Sequence, residues 1–300
     1  MKSLLLNILP EYTAPSGSVA REKMYQAFLS YYRNHGSFDP SASDLVQAKT
    51  ALNRKYGFST EYMAHSDLGE LTAVLFNVVP AGFWLLLYIY SSPSLLAEIR
   101  TEVQAIFVQR LAVDGPGESF GVLNITLIRQ NCPLLCSTYK EVLRLIGSVT
   151  TNRLVLEDTT IKATDKEYLL KKGAIVEIPG AVLHEDASIW GPDARDFNPG
   201  RFLDNLTNQK RHPAAFRTFG GGATLCPGRH FAFVEILSFV SMIVMGFDMT
   251  PENGVWALPK KDTSRLPGVV KPVTDVKVRI RRREGFERTR WIYNTTGMEF

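Results

Sequence analysis

Residues 219–236 read Phe-Gly-Gly-Gly-Ala-Thr-Leu-Cys-Pro-Gly-Arg-His-Phe-Ala-Phe-Val-Glu-Ile, and this stretch decides the fold. Consecutive glycines at 220–222 let the backbone turn tightly and approach a flat ligand that side chains would hold away. Cys226 follows, just ahead of a helix that the spacing predicts from Pro227 to about Met245, with Pro227 suited to its first position. The positive end of that helix dipole favours a thiolate over a thiol, and a thiolate is the form that ligates metal. Gly228 leaves room for a large planar group above the first turn, and the amides there can donate toward the sulfur.

Working outward toward the N-terminus, Phe197, Pro199, Arg201 and Phe202 form an F-x-P-x-R-F element, preceded by His184-x-Asp186 with Trp190 and Gly191. The periodicity of residues 133–146 predicts a helix carrying Glu141 and Arg144. Three apart on one face, these two can pair, and Arg201 is expected to join them in a charge-assisted network.

Phe219, Gly222, Cys226 and Gly228 match the F-x-x-G-x-x-x-C-x-G motif of the cytochromes P450, and Glu141 with Arg144 matches that family's E-x-x-R. The chain resembles this family from about Pro10 to Arg283, closest to fungal members related to the sterol 7-alpha-hydroxylase and prostacyclin synthase branch. The resemblance implies a mainly α fold with small β-sheets, the C-terminal portion of the cytochrome P450 fold, with residues 1–300 as a single partial domain. It implies haem b as cofactor, Cys226 as axial ligand of its iron, and Phe219, Gly222 and Gly228 as the cofactor-binding loop. Glu141, Arg144 and Arg201 become a structural lock without a catalytic role.

Two departures from the family pattern matter. Many members carry an acid followed by threonine in the long central helix, whereas this chain reads Phe76, Asn77, Val78, Val79, Pro80. Pro80 cannot donate to the Phe76 carbonyl, so a kink is expected there, with that carbonyl left to water or oxygen. Asn77 is then the candidate to order a water for proton delivery, or simply to cap backbone groups that Pro80 releases. The second departure is Thr224, where the family often has Arg or His against a haem propionate. Arg153 matches another position that contacts a propionate, and Arg229 lies nearby.

Composition excludes several other classes. Of 300 residues, 45% are hydrophobic and 21% charged, as in an ordinary globular chain. The net charge of +4 comes without a nucleic-acid motif, so no nucleic-acid partner is expected; a basic docking face for an acidic protein fits better. Cys132, Cys136 and Cys226 are too few for a disulfide framework and lack the histidines of a zinc site. Pro10 and Glu11 interrupt the opening apolar run before signal-peptide length.

Residues 20–34 predict a helix with Met24, Ala27, Phe28 and Tyr31 on its apolar face, and a second helix starts near Ser43 and fades at Gly57. Asp67 and Glu70 form a capping box that opens a long apolar helix over about 67–90, read as buried core although 71–90 is long enough to cross a bilayer. Ser92 and Pro93 start the next helix, Gly115–Gly117 mark a loop, and short strands are expected in 153–157, 167–170, 174–178 and near 280. Residues 184–222 read as a long ordered loop, and 216–246 as the cofactor-binding loop and helix.

What the resemblance implies about function is a haem-thiolate monooxygenase oxidising a lipophilic small molecule; against the family's usual length the chain reads as N-terminally truncated, without the N-terminal membrane anchor. Electrons would come from NADPH through NADPH-cytochrome P450 reductase, at the cytoplasmic face of the endoplasmic reticulum, in fungal secondary-metabolite biosynthesis. Two alternatives stay open: an isomerase or dehydratase needing no external electrons, since the acid and alcohol are absent, and a catalytically silent haem-binding fragment.

Overall fold

A computed structural model describes residues 9–111, 119–203, 212–263 and 268–296. The loop expected at Gly115–Gly117 and the first eight residues lie outside these. The chain divides into two compact units, residues 1–76 and 77–300, and the boundary falls inside the helix Thr60–Tyr90.

The first unit holds the helices Pro15–Arg33 and Asp44–Lys55, the latter capped by the Ser43 side chain, which accepts from the Val46 amide. Its core is Leu29, Tyr32, Met63 and Ala64, with Tyr25 and Phe28 packed alongside. The buried face of the first helix is therefore rotated one position from the predicted Met24/Ala27/Phe28/Tyr31, and Tyr31 is exposed. The long helix also begins seven residues earlier than expected. Ser59 accepts from the Tyr62 amide at 3.1 Å and supplies the N-terminal cap. Asp67 is not a cap: it accepts from the Tyr32 hydroxyl at 2.6 Å and pairs with Lys49.

In the second unit one hydrophobic core is built mainly from the rest of the long helix (Ala81, Trp84, Leu85, Ile89), the helix Pro93–Gln104, the helix Pro133–Ile146 and the helix Arg229–Gly246. Among the described residues two helices are apolar and long enough to cross a membrane, Thr60–Tyr90 and Arg229–Gly246, and each places apolar side chains in this core. Polar ties fix their ends. The Tyr90 hydroxyl donates to the carbonyl of Phe247 at 2.9 Å, and Arg100 donates to Val244 and Asp248. As expected, Pro93 occupies the first turn after Ser92, although the Ser92 side chain makes no cap bond.

The sheets are small. Thr150–Leu154 pairs antiparallel with Ile175–Pro179, and Thr159–Ala163 with Lys166–Leu170. Phe247–Pro251 pairs with Val278–Arg282, the strand expected near 280. A three-stranded sheet absent from the sequence reading joins Phe107–Leu111, Ser119–Asn124 and, parallel to the latter, Thr289–Asn294. Within its described residues the 184–222 stretch holds the short helix Ala187–Trp190 and the 3₁₀ turn Pro213–Ala215, and a second 3₁₀ turn, Gly222–Thr224, starts at its end.

Candidate haem-thiolate site

Glu141 and Arg144 lie on the helix Pro133–Ile146, and both are essentially inaccessible to water. Their pairing is bidentate: Arg144 Nε and Nη2 donate to Oε2 and Oε1 of Glu141, each at 2.8 Å. Arg201 Nε reaches the same Oε1 at 3.0 Å, and the Asn198 amide donates to it as well. Arg201 also pairs with Asp193 at 2.9 Å. Two arginines are thus balanced by two carboxylates, and the remaining guanidinium donors reach the carbonyls of His184, Ala194, Trp190 and Asp193. Burial pulls the Arg201 guanidinium down, but Asp193 and Glu141 more than offset it and hold it above its ordinary value. The hydrogen bond from Arg201 holds the Asp193 carboxyl below the usual range. Asp193 was not singled out in the sequence, because nothing local distinguishes it from the other acids of the 184–196 stretch.

His184 carries this network to the glycine loop. Its carbonyl accepts from Arg144, and its Nε2 accepts from the Arg217 amide at 2.8 Å. Burial first, and the Arg144 charge second, push its pKa down to about 4, so the ring is a neutral acceptor at neutral pH.

The loop then closes on itself. Phe219 packs against the main core, and its carbonyl accepts from the Cys226 amide at 3.0 Å. Leu225 donates to Gly222, and Gly220 to Arg217. Gly222 has φ +68°, a conformation that favours glycine. Cys226 is partly exposed and free of any disulfide. The helix after it starts at Arg229 with Gly228 as N-cap, two residues later than predicted. The first helical bond runs from Ala232 to the Gly228 carbonyl, and Pro227 belongs to the preceding turn. Arg229 folds back so that Nη1 donates to the Cys226 carbonyl at 3.0 Å.

These residues fit a flat, anionic macrocycle with a sulfur ligand. A Cβ added at Gly228 would lie 3.7 Å from the Cys226 sulfur, filling the space beside it. Arg153, on the strand Thr150–Leu154, sends Nη2 to the Thr224 hydroxyl at 2.8 Å and to the Gly221 carbonyl at 2.9 Å, and among the described residues it pairs with no carboxylate. Cys132 and Cys136 do not compete for the metal role. Burial pushes their thiols up to about 12 and about 11, and among the described residues no three or more His, Cys, Asp or Glu side chains gather where they could hold a metal ion.

Asn77 is placed apart from this loop's contacts. Its Oδ1 accepts from the Val269 amide at 3.1 Å, close against Gly268, whose backbone is bonded to Ser148. Asn77 is therefore also a tie across 192 residues of chain.

Comparison with known proteins agrees with the motifs. The family model for cytochrome P450 matches residues 45–279. A cytochrome P450 monooxygenase of Gibberella zeae is 34% identical, covering 96% of this chain and 56% of that protein. Cytochrome P450 monooxygenase nodJ of Hypoxylon pulicicidum is 32% identical over 99% of this chain and 58% of its own length. The cholesterol 7-alpha-monooxygenase of Cricetulus griseus is 28% identical over 90% of this chain. A crystal structure of a cytochrome P450 superposes with a TM-score of 0.68 at 25% identity, covering 89% of this chain and 56% of the other. The chain spans about half the length of the curated relatives it matches. With the motifs in register and the family model matched over most of its length, the chain belongs to the cytochrome P450 family.

Proposed function

We propose that this chain is the haem-binding part of a monooxygenase that oxidises a lipophilic small molecule, drawing electrons from NADPH through NADPH-cytochrome P450 reductase. The observation that carries the reading is the loop from Phe219 to Gly228. It holds a free, accessible cysteine at the mouth of a helix, beside a glycine that keeps the adjoining space open. Haem, when bound, supplies the activation of dioxygen. Cys226 would ligate its iron and Arg153 would hold a propionate, while Glu141, Arg144, Arg201 and Asp193 fix the loop that carries them. Asn77 would order a water for proton delivery in place of the acid and alcohol that the long helix lacks. The setting that goes with this reading is fungal secondary metabolism at the cytoplasmic face of the endoplasmic reticulum, and the name of the cholesterol 7-alpha-monooxygenase relative supports a lipophilic substrate.

The test is the carbon monoxide difference spectrum of the reduced protein. A thiolate-type Soret band is expected for the wild type and none for Cys226→Ala; a band that survives the substitution rejects Cys226 as ligand. A second reading, isomerisation or dehydration without external electrons, rests on Val79 and Pro80 standing where the acid and alcohol usually do. Turnover of a hydroperoxide without NADPH would favour it, and strict reductase dependence would remove it.

A further inference from the structure

The middle glycine of the three is there for a different reason from its neighbours. Gly220 and Gly222 have φ values of +75° and +68°, where glycine is favoured, but Gly221 has φ −179°, an extended backbone that any residue adopts. Space, not backbone, demands glycine at 221. A Cβ there would fall 1.7 Å from Nη1 of Arg217 and 3.0 Å from its Cζ. The Arg217 guanidinium occupies the room that a side chain would need.

The Arg217 backbone is tied on both sides: its amide donates to His184 Nε2 at 2.8 Å and its carbonyl accepts from Gly220 at 2.9 Å. Its Nε is buried with no hydrogen-bond partner, and among the described residues no carboxylate pairs with it. Arg153 reaches the same glycine, donating to the Gly221 carbonyl, and it too has only neutral acceptors. Two guanidinium groups therefore meet at one residue without a counter-charge. Like charges gathered at one residue, one with a buried unbonded donor, are unfavourable unless an anion joins them.

We infer that Arg217 is a second clamp on a haem carboxylate, working with Arg153. It supplies the cation that this chain lacks at Thr224, and Gly221 is glycine to admit it. The inference rests on the haem reading above. The anion it requires is a carboxylate, and a propionate of the cofactor is distinguishable from a carboxylate of some other ligand by esterifying the cofactor.

The full chain is loaded with haem or with haem dimethyl ester, whose propionates are uncharged, and loss of the porphyrin to excess apomyoglobin is timed. Arg217→Ala is expected to speed haem loss by about tenfold or more, the worth of one charge-assisted hydrogen bond, and Arg217→Lys to restore part of it. Gly221→Ala is expected to act similarly, since its Cβ meets only the flexible end of Arg217, and to add nothing in the Arg217→Ala background. With the diester, wild type and Arg217→Ala are expected to release at the same rate. Equal acceleration with the diester means that Arg217 supports the fold or another anion, and the inference fails. Unchanged haem loss in Arg217→Ala, with the Cys226-dependent Soret band intact, rejects the clamp and leaves the haem reading standing. Failure of the wild type to take up haem at all removes both.

Discussion

Two charged regions lie within one compact unit and are organised in opposite ways. Around Glu141 the charges cancel: Arg144 and Arg201 face Glu141 and Asp193, and leftover donors find backbone carbonyls. Around Gly221 they do not, because Arg153 and Arg217 have no carboxylate among the described residues. A saturated buried network has nothing to offer a ligand and serves the fold. An unsaturated one is built for something the chain itself does not contain. The contrast separates the two kinds of substitution: damage to the first is expected to appear as lost stability, and damage to the second as lost ligand.

The largest effect is expected at Glu141. Removing its charge by Glu141→Gln strands Arg144, fully buried, beside a nearly buried Arg201, and breaking such a pair costs about 3–5 kcal/mol. That is a large part of the roughly 5–15 kcal/mol that keeps a domain folded. Denaturant unfolding measures it, and a loss under about 1 kcal/mol would contradict the view of this network as the structural lock.

His184 joins the two regions and gives the contrast a pH dependence. Its folded pKa, about 4, lies below the ordinary value of 6.5, so the unfolded chain takes up the proton first as pH falls. Stability from this residue is complete above about pH 6.5 and is lost as pH drops toward 4, by at most about 3 kcal/mol. Unfolding free energies across that window are expected to slope less in His184→Gln. An identical slope in the variant would place the dependence elsewhere.

Arg153→Ala tests the other side of the comparison. The side chain is partly exposed and its acceptors are neutral, so the fold is expected to lose about 1 kcal/mol or less, while haem loss speeds by about tenfold. Destabilisation comparable to that of Glu141→Gln, with haem retention unchanged, would erase the distinction between the two regions.

What the sequence disclosed follows the same division. Fixed-spacing features were legible, because a helix places Glu141 beside Arg144 and a short loop places Phe219 near Cys226 whatever else the chain does. Features set by distant partners were not. Asp67 looked like the start of the long helix, but Tyr32, 35 residues away, claims its carboxylate, and the plainer Ser59 does the capping. The strand Ser119–Asn124 gains its parallel neighbour only from Thr289–Asn294, 170 residues on, so no local pattern announces that sheet. Gly221 read as one of three equivalent glycines, since the guanidinium that explains it is visible only in space.

The smallest effect, and the one that most sharpens the proposal, concerns Asn77. Asn77→Leu takes away the acceptor of the Val269 amide, a cost of about 1 kcal/mol if the residue is only a tie between the long helix and the 268–270 segment. A purely structural tie predicts that small loss in denaturant unfolding, together with unchanged coupling of NADPH consumption to product. A role in ordering a proton-carrying water predicts that coupling falls while stability changes by the same small amount. Asn77→Asp separates the two further, because it keeps Oδ1 for Val269 but replaces the amide nitrogen by an oxygen. If that variant retains stability yet uncouples, the water-ordering role stands; if it behaves as wild type in both, Asn77 is the tie alone, and the missing acid and alcohol of this helix have no replacement at this position.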